Sequence, residues 1–224
     1  MNIFKALKLS DLFSLLNAML GFGALLAAYN GESILSASMI ILAAISDGID
    51  GMIARRNGPG YLGENLDSLA DLVSFGAAPA LLVVTSFNMN WGGWILGGFY
   101  LICSILRLAR YVASEKNDQF FEGLPIPAAG MILAASVLLG TPIVTLPLML
   151  IISILMISSI YYPKIRDFRV AATLGFFLLI IAFIFGSQKG SQSSPSFYAD
   201  IILIIVIAAY LLSPVVISLR RIER

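Results

Sequence analysis

Along the 224 residues, apolar stretches recur at close to membrane-crossing length, separated by short polar breaks that hold most of the charge. A bilayer core takes about 20 helical residues to cross, so stretches of this length predict spanning helices rather than the core helices of a soluble domain. Read by length, the pattern predicts about eight spans, at roughly 10–29, 33–55, 64–87, 91–113, 125–141, 143–162, 168–186 and 198–219. The first has no convincing small-x-small cleavage site. Its Asn17, Gly21 and Gly23 suit helix contacts, so it reads as a span and not as a signal peptide. The expected fold class is all-α: one polytopic membrane domain over residues 1–224, with a core at about 10–162 and additional helices at about 168–219. Ahead of the spans, residues 1–9 set Ile3, Phe4 and Leu7 against Lys5 and Lys8, a pattern for an interfacial amphipathic helix or a frayed basic anchor.

Composition agrees with this class and narrows the chemistry. Hydrophobic residues make up 59% of the chain and its mean hydropathy is +0.93, above the range of soluble domains. If the spans alternate, Lys5, Lys8, Arg55, Arg56, Arg107, Arg110, Lys116, Lys164, Arg166, Arg169, Arg220, Arg221 and Arg224 all fall on one side, and Lys189 alone falls opposite. That side is cytoplasmic by the positive-inside rule, so both termini are expected there. A net charge of +1 and the lack of a basic tract speak against a nucleic-acid partner. With no histidine and a single cysteine, Cys103, histidine-based catalysis, thiolate zinc sites and an internal disulfide are excluded. Chemistry must come from carboxylates, arginine or lysine, hydroxyls, amides or a hard metal ion.

One stretch concentrates those groups. Ser46–Asp71 holds Asp47, Asp50, Asp67 and Asp71 in a chain where only 12% of residues are charged. Each pair lies at i,i+3 or i,i+4 next to an apolar run, so each shares one helix face. The Gly- and Pro-rich connection at about 56–62 would return the second helix antiparallel to the first and turn the pairs toward each other. Asp47 lies eight residues before Arg55, roughly 12 Å below the cytoplasmic end of its helix. Carboxylates at that depth are costly and usually functional, and four together call for a cation such as Mg²⁺ or Mn²⁺. Arg55 offers a fork for a phosphate, and Gly51 and Gly63 allow close approach. A phosphorylated substrate is one reading; a carboxylate-lined cation pathway is the other.

The residues Asp47-x-x-Asp50-Gly51-x-x-Ala54-Arg55, followed by Gly63-x-x-x-Asp67-x-x-x-Asp71, resemble the signature of the CDP-alcohol phosphotransferases. One spacing differs: seven residues separate Arg55 from Gly63, against the eight expected, a shortening that the Asn57–Gly60 turn can absorb. Within that family, LDSLADLVSFGAAP (Leu66–Pro79), Gly123-Leu124-Pro125-x-Pro127-Ala128-Ala129, Arg107-Leu108-Ala109-Arg110 and the early Asn17 are similar to class II phosphatidylserine synthases. The resemblance covers roughly residues 10–130. It implies transfer of a phosphatidyl-type group from CDP-diacylglycerol, or a CDP-ether lipid, to L-serine with release of CMP. The same chemistry with glycerol phosphate or inositol phosphate as acceptor stays open.

The resemblance also implies roles. Asp47, Asp50 and Asp67 are the expected metal ligands, with Asp71 near enough to contribute and acting as general base toward the serine hydroxyl. Gly51, Ala54, Arg55, Gly63 and Asp67 are the expected contacts to the CDP-lipid. Asn17 is expected either to hydrogen-bond the pyrophosphate or to join two helices. Arg107 and Arg110, about 60° apart around one helix, are candidates for the serine carboxylate or a phosphate, or simply basic anchors. Glu122 is a candidate for the serine ammonium, and the polar segment 115–125 for a cover over the site. A homodimer is implied as well. Trp91 and Trp94, and Tyr161 and Tyr162, read as interfacial aromatics, and Pro214 as a helix kink.

Overall fold

The computed structural model describes residues 8–57, 62–113, 120–138 and 140–163. The chain forms helices α1 (Leu9–Tyr29), α2 (Ser33–Asn57), α3 (Gly63–Asp71), α4 (Ala78–Ser86), α5 (Trp91–Ala113), α6 (Ile126–Leu138) and α7 (Pro142–Ile157). Strands β1 (Phe120–Glu122) and β2 (Tyr161–Pro163) add a small antiparallel ribbon with Phe121 opposite Tyr162. The all-α expectation therefore holds except for this ribbon.

Four stretches are long and apolar enough to cross a membrane: Ser10–Tyr29, Ser33–Arg56, Gly63–Ser86 and Trp91–Ala113. They match the first four predicted spans. The predicted fifth and sixth are shorter apolar helices, Ile126–Leu138 and Pro142–Ile157. Pro125 and Pro127 bracket the start of α6, and the turn at Gly140, where φ is +68°, ends it. The predicted spans at 168–186 and 198–219, and with them Pro214, lie outside the described residues. So do residues 1–7 of the predicted interfacial segment, residues 115–119 of the predicted cover at 115–125, and residues 58–61 of the turn after Arg55.

The third span departs most from a plain helix. Between α3 and α4 the chain makes a π-helical turn at Leu72–Ala77. Pro79 supplies the cause: it has no N–H to offer the carbonyl four residues earlier, and its ring crowds that carbonyl. The carbonyl is that of Phe75, which accepts the Tyr100 hydroxyl at 2.8 Å instead. Both Phe75 and Tyr100 are fully buried, so a side chain of α5 closes the gap that proline opens. Such turns frequently mark functional sites, and this one begins directly after Asp71.

Small residues set how closely α1 approaches its neighbours. Ala24 and Ala28 share a buried cluster with Ala37, Ile40 and Ala43 of α2, and the tight link between the helices uses Gly31 at φ +78°. A Cβ on Gly21 would lie 2.7 Å from Ser74 Cα, so only glycine lets α1 meet the π turn there. The outward face of α1 is apolar, with Leu15, Met19, Phe22 and Leu26 exposed, as is the face of α5 carrying Ile95 and Ile102. Trp91 and Trp94 stand exposed at the start of α5. Apolar faces of this extent suit a helix bundle surrounded by lipid.

Candidate functional site

The aspartates lie where α2 and α3 face each other beneath α1. One carboxylate oxygen from each of Asp47, Asp67 and Asp71 falls within 4.8 Å of the others. Asp71 is buried; Asp47 and Asp67 are half-buried. The i,i+4 spacing of Asp67 and Asp71 puts both on the same stripe of α3, aimed at Asp47 across the hairpin. Carboxylates this close repel one another unless a cation or a proton lies between them. Three hard oxygen donors, joined by no histidine or cysteine among the described residues, fit a divalent cation of the Mg²⁺ or Mn²⁺ type.

Asp50 stands apart from that trio. It is buried and accepts a hydrogen bond from the Ser14 hydroxyl of α1. Asp11, also buried, lies near enough to act on Asp50 electrostatically, and it accepts the Lys8 backbone N–H at 2.9 Å. A Cβ on Gly63 would come 3.1 Å from Asp11 Oδ1, so Gly63 brings the start of α3 against this second acidic group. Asp11 and Ser14 were not singled out from the sequence. Their signal is nonetheless present: Ser10, Asp11, Ser14 and Asn17 recur at helical spacing in an otherwise apolar span, and all four are buried.

Asn17 ties α1 to the trio. Its Nδ2 donates to Asp71 Oδ1 at 3.1 Å, and its main-chain oxygen accepts the Ser74 hydroxyl at 2.8 Å. The helix-joining role expected of Asn17 is thus present, and its amide nitrogen carries a second N–H besides the one that meets Asp71. Gly51 and Arg55 lie further along α2; a Cβ on Gly51 would sit 3.4 Å from the exposed Arg55 guanidinium, and Ala54 is half-buried beside them.

The two arginines of α5 part company. Arg107 is buried, stacks over Tyr111 at 5.4 Å from the ring centroid, and acts electrostatically on both Asp67 and Asp71. Arg110 turns toward the end of α7. Its guanidinium donates to the carbonyls of Glu122 (2.8 Å), Met156 (3.1 Å), Ile157 (3.2 Å) and Ser158 (3.1 Å). Its Nη1 also pairs with Glu122 at 3.8 Å. The structure thus brings Asp47, Asp67, Asp71, Asn17 and Arg107 together, and sets Arg110 and Glu122 together in a staple of their own.

Comparison with known proteins identifies the family. The family model for CDP-alcohol phosphatidyltransferase matches residues 7–219. Archaetidylserine synthase of Methanothermobacter thermautotrophicus is 35% identical over 164 residues, covering 70% of this chain and 70% of its own length. CDP-diacylglycerol–serine O-phosphatidyltransferase of Methanocaldococcus jannaschii is 38% identical over 165 residues, covering 73% of this chain and 77% of its own. The enzyme of the same name from Helicobacter pylori is 30% identical over 188 residues, 78% of each chain. With the matched model spanning the acidic trio and every described helix, the chain is an integral membrane protein that belongs to the CDP-alcohol phosphatidyltransferase family.

Proposed function

We propose that the protein transfers a phosphatidyl-type group from a CDP-activated lipid to the hydroxyl of L-serine, releasing CMP, as a step of phospholipid synthesis. The observation that carries this reading is the convergence of Asp47, Asp67 and Asp71 within 4.8 Å, inside a chain whose relatives bear the names of serine-transferring enzymes. The serine oxygen attacks the lipid-linked phosphorus, the bond from that phosphorus to the CMP oxygen breaks, and the serine proton passes to a carboxylate. Asp71 takes that proton: it is buried, oriented by Asn17, and close to the basic Arg107.

Asp47, Asp67 and Asp71 would hold the divalent cation, Mg²⁺ or Mn²⁺, with Asp50 contributing from beside the trio. When bound, that ion supplies charge neutralisation for the pyrophosphate. Gly51, Ala54, Arg55 and Gly63 receive the nucleotide end of the lipid. Arg107 binds the serine carboxylate, a role that Arg110, committed to four carbonyls, does not share. The placement of lysine and arginine supports a mouth on the cytoplasmic side and cytoplasmic termini, and the family resemblance supports a homodimer.

The test supplies purified protein with CDP-diacylglycerol or its ether-linked counterpart and Mn²⁺ or Mg²⁺. L-serine, glycerol 3-phosphate and inositol phosphate are added in turn, and CMP release is followed. Release with serine alone is expected. Release only with a phosphorylated alcohol moves the acceptor. No release with any acceptor, together with cation flux into liposomes, replaces the enzyme by a transporter.

A further inference from the structure

Asn17 carries an unanswered polar atom. The residue is fully buried in α1, and it is anchored twice: its main-chain oxygen accepts from Ser74, and its Nδ2 donates to Asp71. Its Oδ1 is buried as well and has no hydrogen-bond partner, the sole such side-chain atom among the described residues. The amide is placed with its nitrogen, not its oxygen, against Asp71, at 3.1 Å. An orphaned buried acceptor is a standing cost that a bound donor removes.

We propose that Asn17 reads the amino group of the acceptor: Nδ2 holds Asp71 while Oδ1 accepts an N–H from the substrate ammonium. This rests on the serine-transfer reading above and adds to it the residue that selects a β-hydroxy amine. The connectivity of serine argues for it. The carbon bearing the ammonium is bonded to the carbon bearing the hydroxyl. A hydroxyl directed at Asp71 therefore keeps the ammonium among Asp71's immediate neighbours. Two of those neighbours differ in kind. Arg107 is a cation acting on Asp71 from α5; it repels an ammonium and attracts a carboxylate. Asn17, from α1, presents a free acceptor. A zwitterion laid across Asp71 with its carboxylate toward Arg107 and its ammonium toward Asn17 gives Asn17 Oδ1 the donor it lacks. A sugar phosphate or glycerol phosphate brings no ammonium to Oδ1.

The experiment compares acceptors that differ only in the amine. KM and kcat for L-serine, and the inhibition constant of 3-hydroxypropanoate, which keeps the hydroxyl and carboxylate, are measured for the wild type and Asn17→Ala with saturating CDP-lipid and Mn²⁺. Asn17→Ala is expected to raise the serine KM about tenfold or more while leaving the 3-hydroxypropanoate constant within about twofold. A fall in kcat accompanies this through the loss of the Asp71 contact. Equal weakening of both ligands overturns the proposal and leaves Asn17 as a positioning residue for Asp71 alone. An unchanged serine KM with a raised Mn²⁺ half-saturation overturns it in favour of a cation ligand. Should Asn17→Ala fail to fold, Asn17→Ser is measured against the same two outcomes. Failure of the serine-transfer reading is separate and visible: wild-type protein then releases no CMP with serine.

Discussion

Serine hydroxyls do opposite things in two walls of this bundle. Where α1 meets α2 and the third span, they reach across: Ser14 to Asp50, Ser46 to the Phe13 carbonyl at 2.9 Å, Ser74 to the Asn17 carbonyl at 2.8 Å, Ser36 to the Ala24 carbonyl at 2.9 Å. Where α5, α6 and α7 meet, they fold back on their own helices. Ser104 donates to Tyr100, Ser136 to Leu133 and Ser153 to Met149, and Ser104 adds only a loose 3.9 Å contact to the Met156 sulfur. That second wall is held by close packing of Phe75, Leu133, Met149 and Ile152, with Thr145 of α7 donating to the Ser136 carbonyl of α6 at 3.1 Å and Arg110 of α5 donating to carbonyls at the end of α7. In lipid, apolar packing alone lets helices adjust past one another, whereas a cross-helix hydrogen bond fixes register. At the wall holding the carboxylates, serine side chains supply those bonds.

The largest expected effect comes from the polar wall. Asp71→Asn removes the proton acceptor but keeps size and burial, so turnover is expected to fall by about 10² to 10⁴ while CDP-lipid binding is largely spared. Asp47→Asn takes a ligand from the trio and is expected to weaken binding of both Mn²⁺ and CDP-lipid. Equal loss of lipid binding in the two variants would make Asp71 chiefly a metal ligand. Titrating each variant with Mn²⁺ and with CDP-lipid, alongside CMP release, separates these outcomes.

The arginines of α5 test the comparison within a single helix. Arg107→Ala should raise the serine KM by at least about tenfold for the molecules that fold, because a charge-assisted contact is lost. Arg110→Ala strips donors from the carbonyls of Glu122, Met156, Ile157 and Ser158, so the end of α7 and the β1–β2 ribbon lose their staple. It is expected to cost about 1–3 kcal/mol of stability, with turnover per folded molecule retained. The pair of midpoints and KM values checks both. A KM effect in Arg110→Ala equal to that in Arg107→Ala would erase the division between the walls.

How much of this the sequence disclosed depends on whether a feature is periodic. The acidic trio was legible because Asp67 and Asp71 share a helix stripe and a Gly/Pro break returns their helix toward Asp47. Four spans were legible by length. Counting apolar length, however, ignores which face is apolar, and so passed over Ser10, Asp11 and Ser14 on the inward polar stripe of α1, of which only Asn17 and Gly21 read as contacts. There Ser10, Ser14, Asn17 and Gly21 are buried while Leu12, Leu15, Leu16 and Met19 are exposed. The departure of Asp50 from the trio depends on its Ser14 partner, a tertiary fact. The different fates of Arg107 and Arg110 follow from where α7 and the ribbon end, which spacing on α5 cannot report. The π turn had a local cause in Pro79, but its stabilising partner Tyr100 sits 25 residues beyond Phe75.

That turn supplies the smallest and most specific test. Tyr100→Phe keeps the buried ring and deletes only the hydroxyl that meets the Phe75 carbonyl. With Pro79 unable to replace the donor, the carbonyl stays buried and unpaired, at a cost of about 1–3 kcal/mol. If the π turn exists only because Pro79 forces it, activity per folded molecule should stay near wild type while the midpoint falls. If Tyr100 also holds the turn that follows Asp71, kcat should fall by more than the lost folded fraction explains, and Pro79→Ala in the same background should restore the midpoint by returning an N–H to Phe75. Measuring midpoint and kcat for Tyr100→Phe and for the double variant decides whether the apolar wall merely supports the polar one or sets the position of its base.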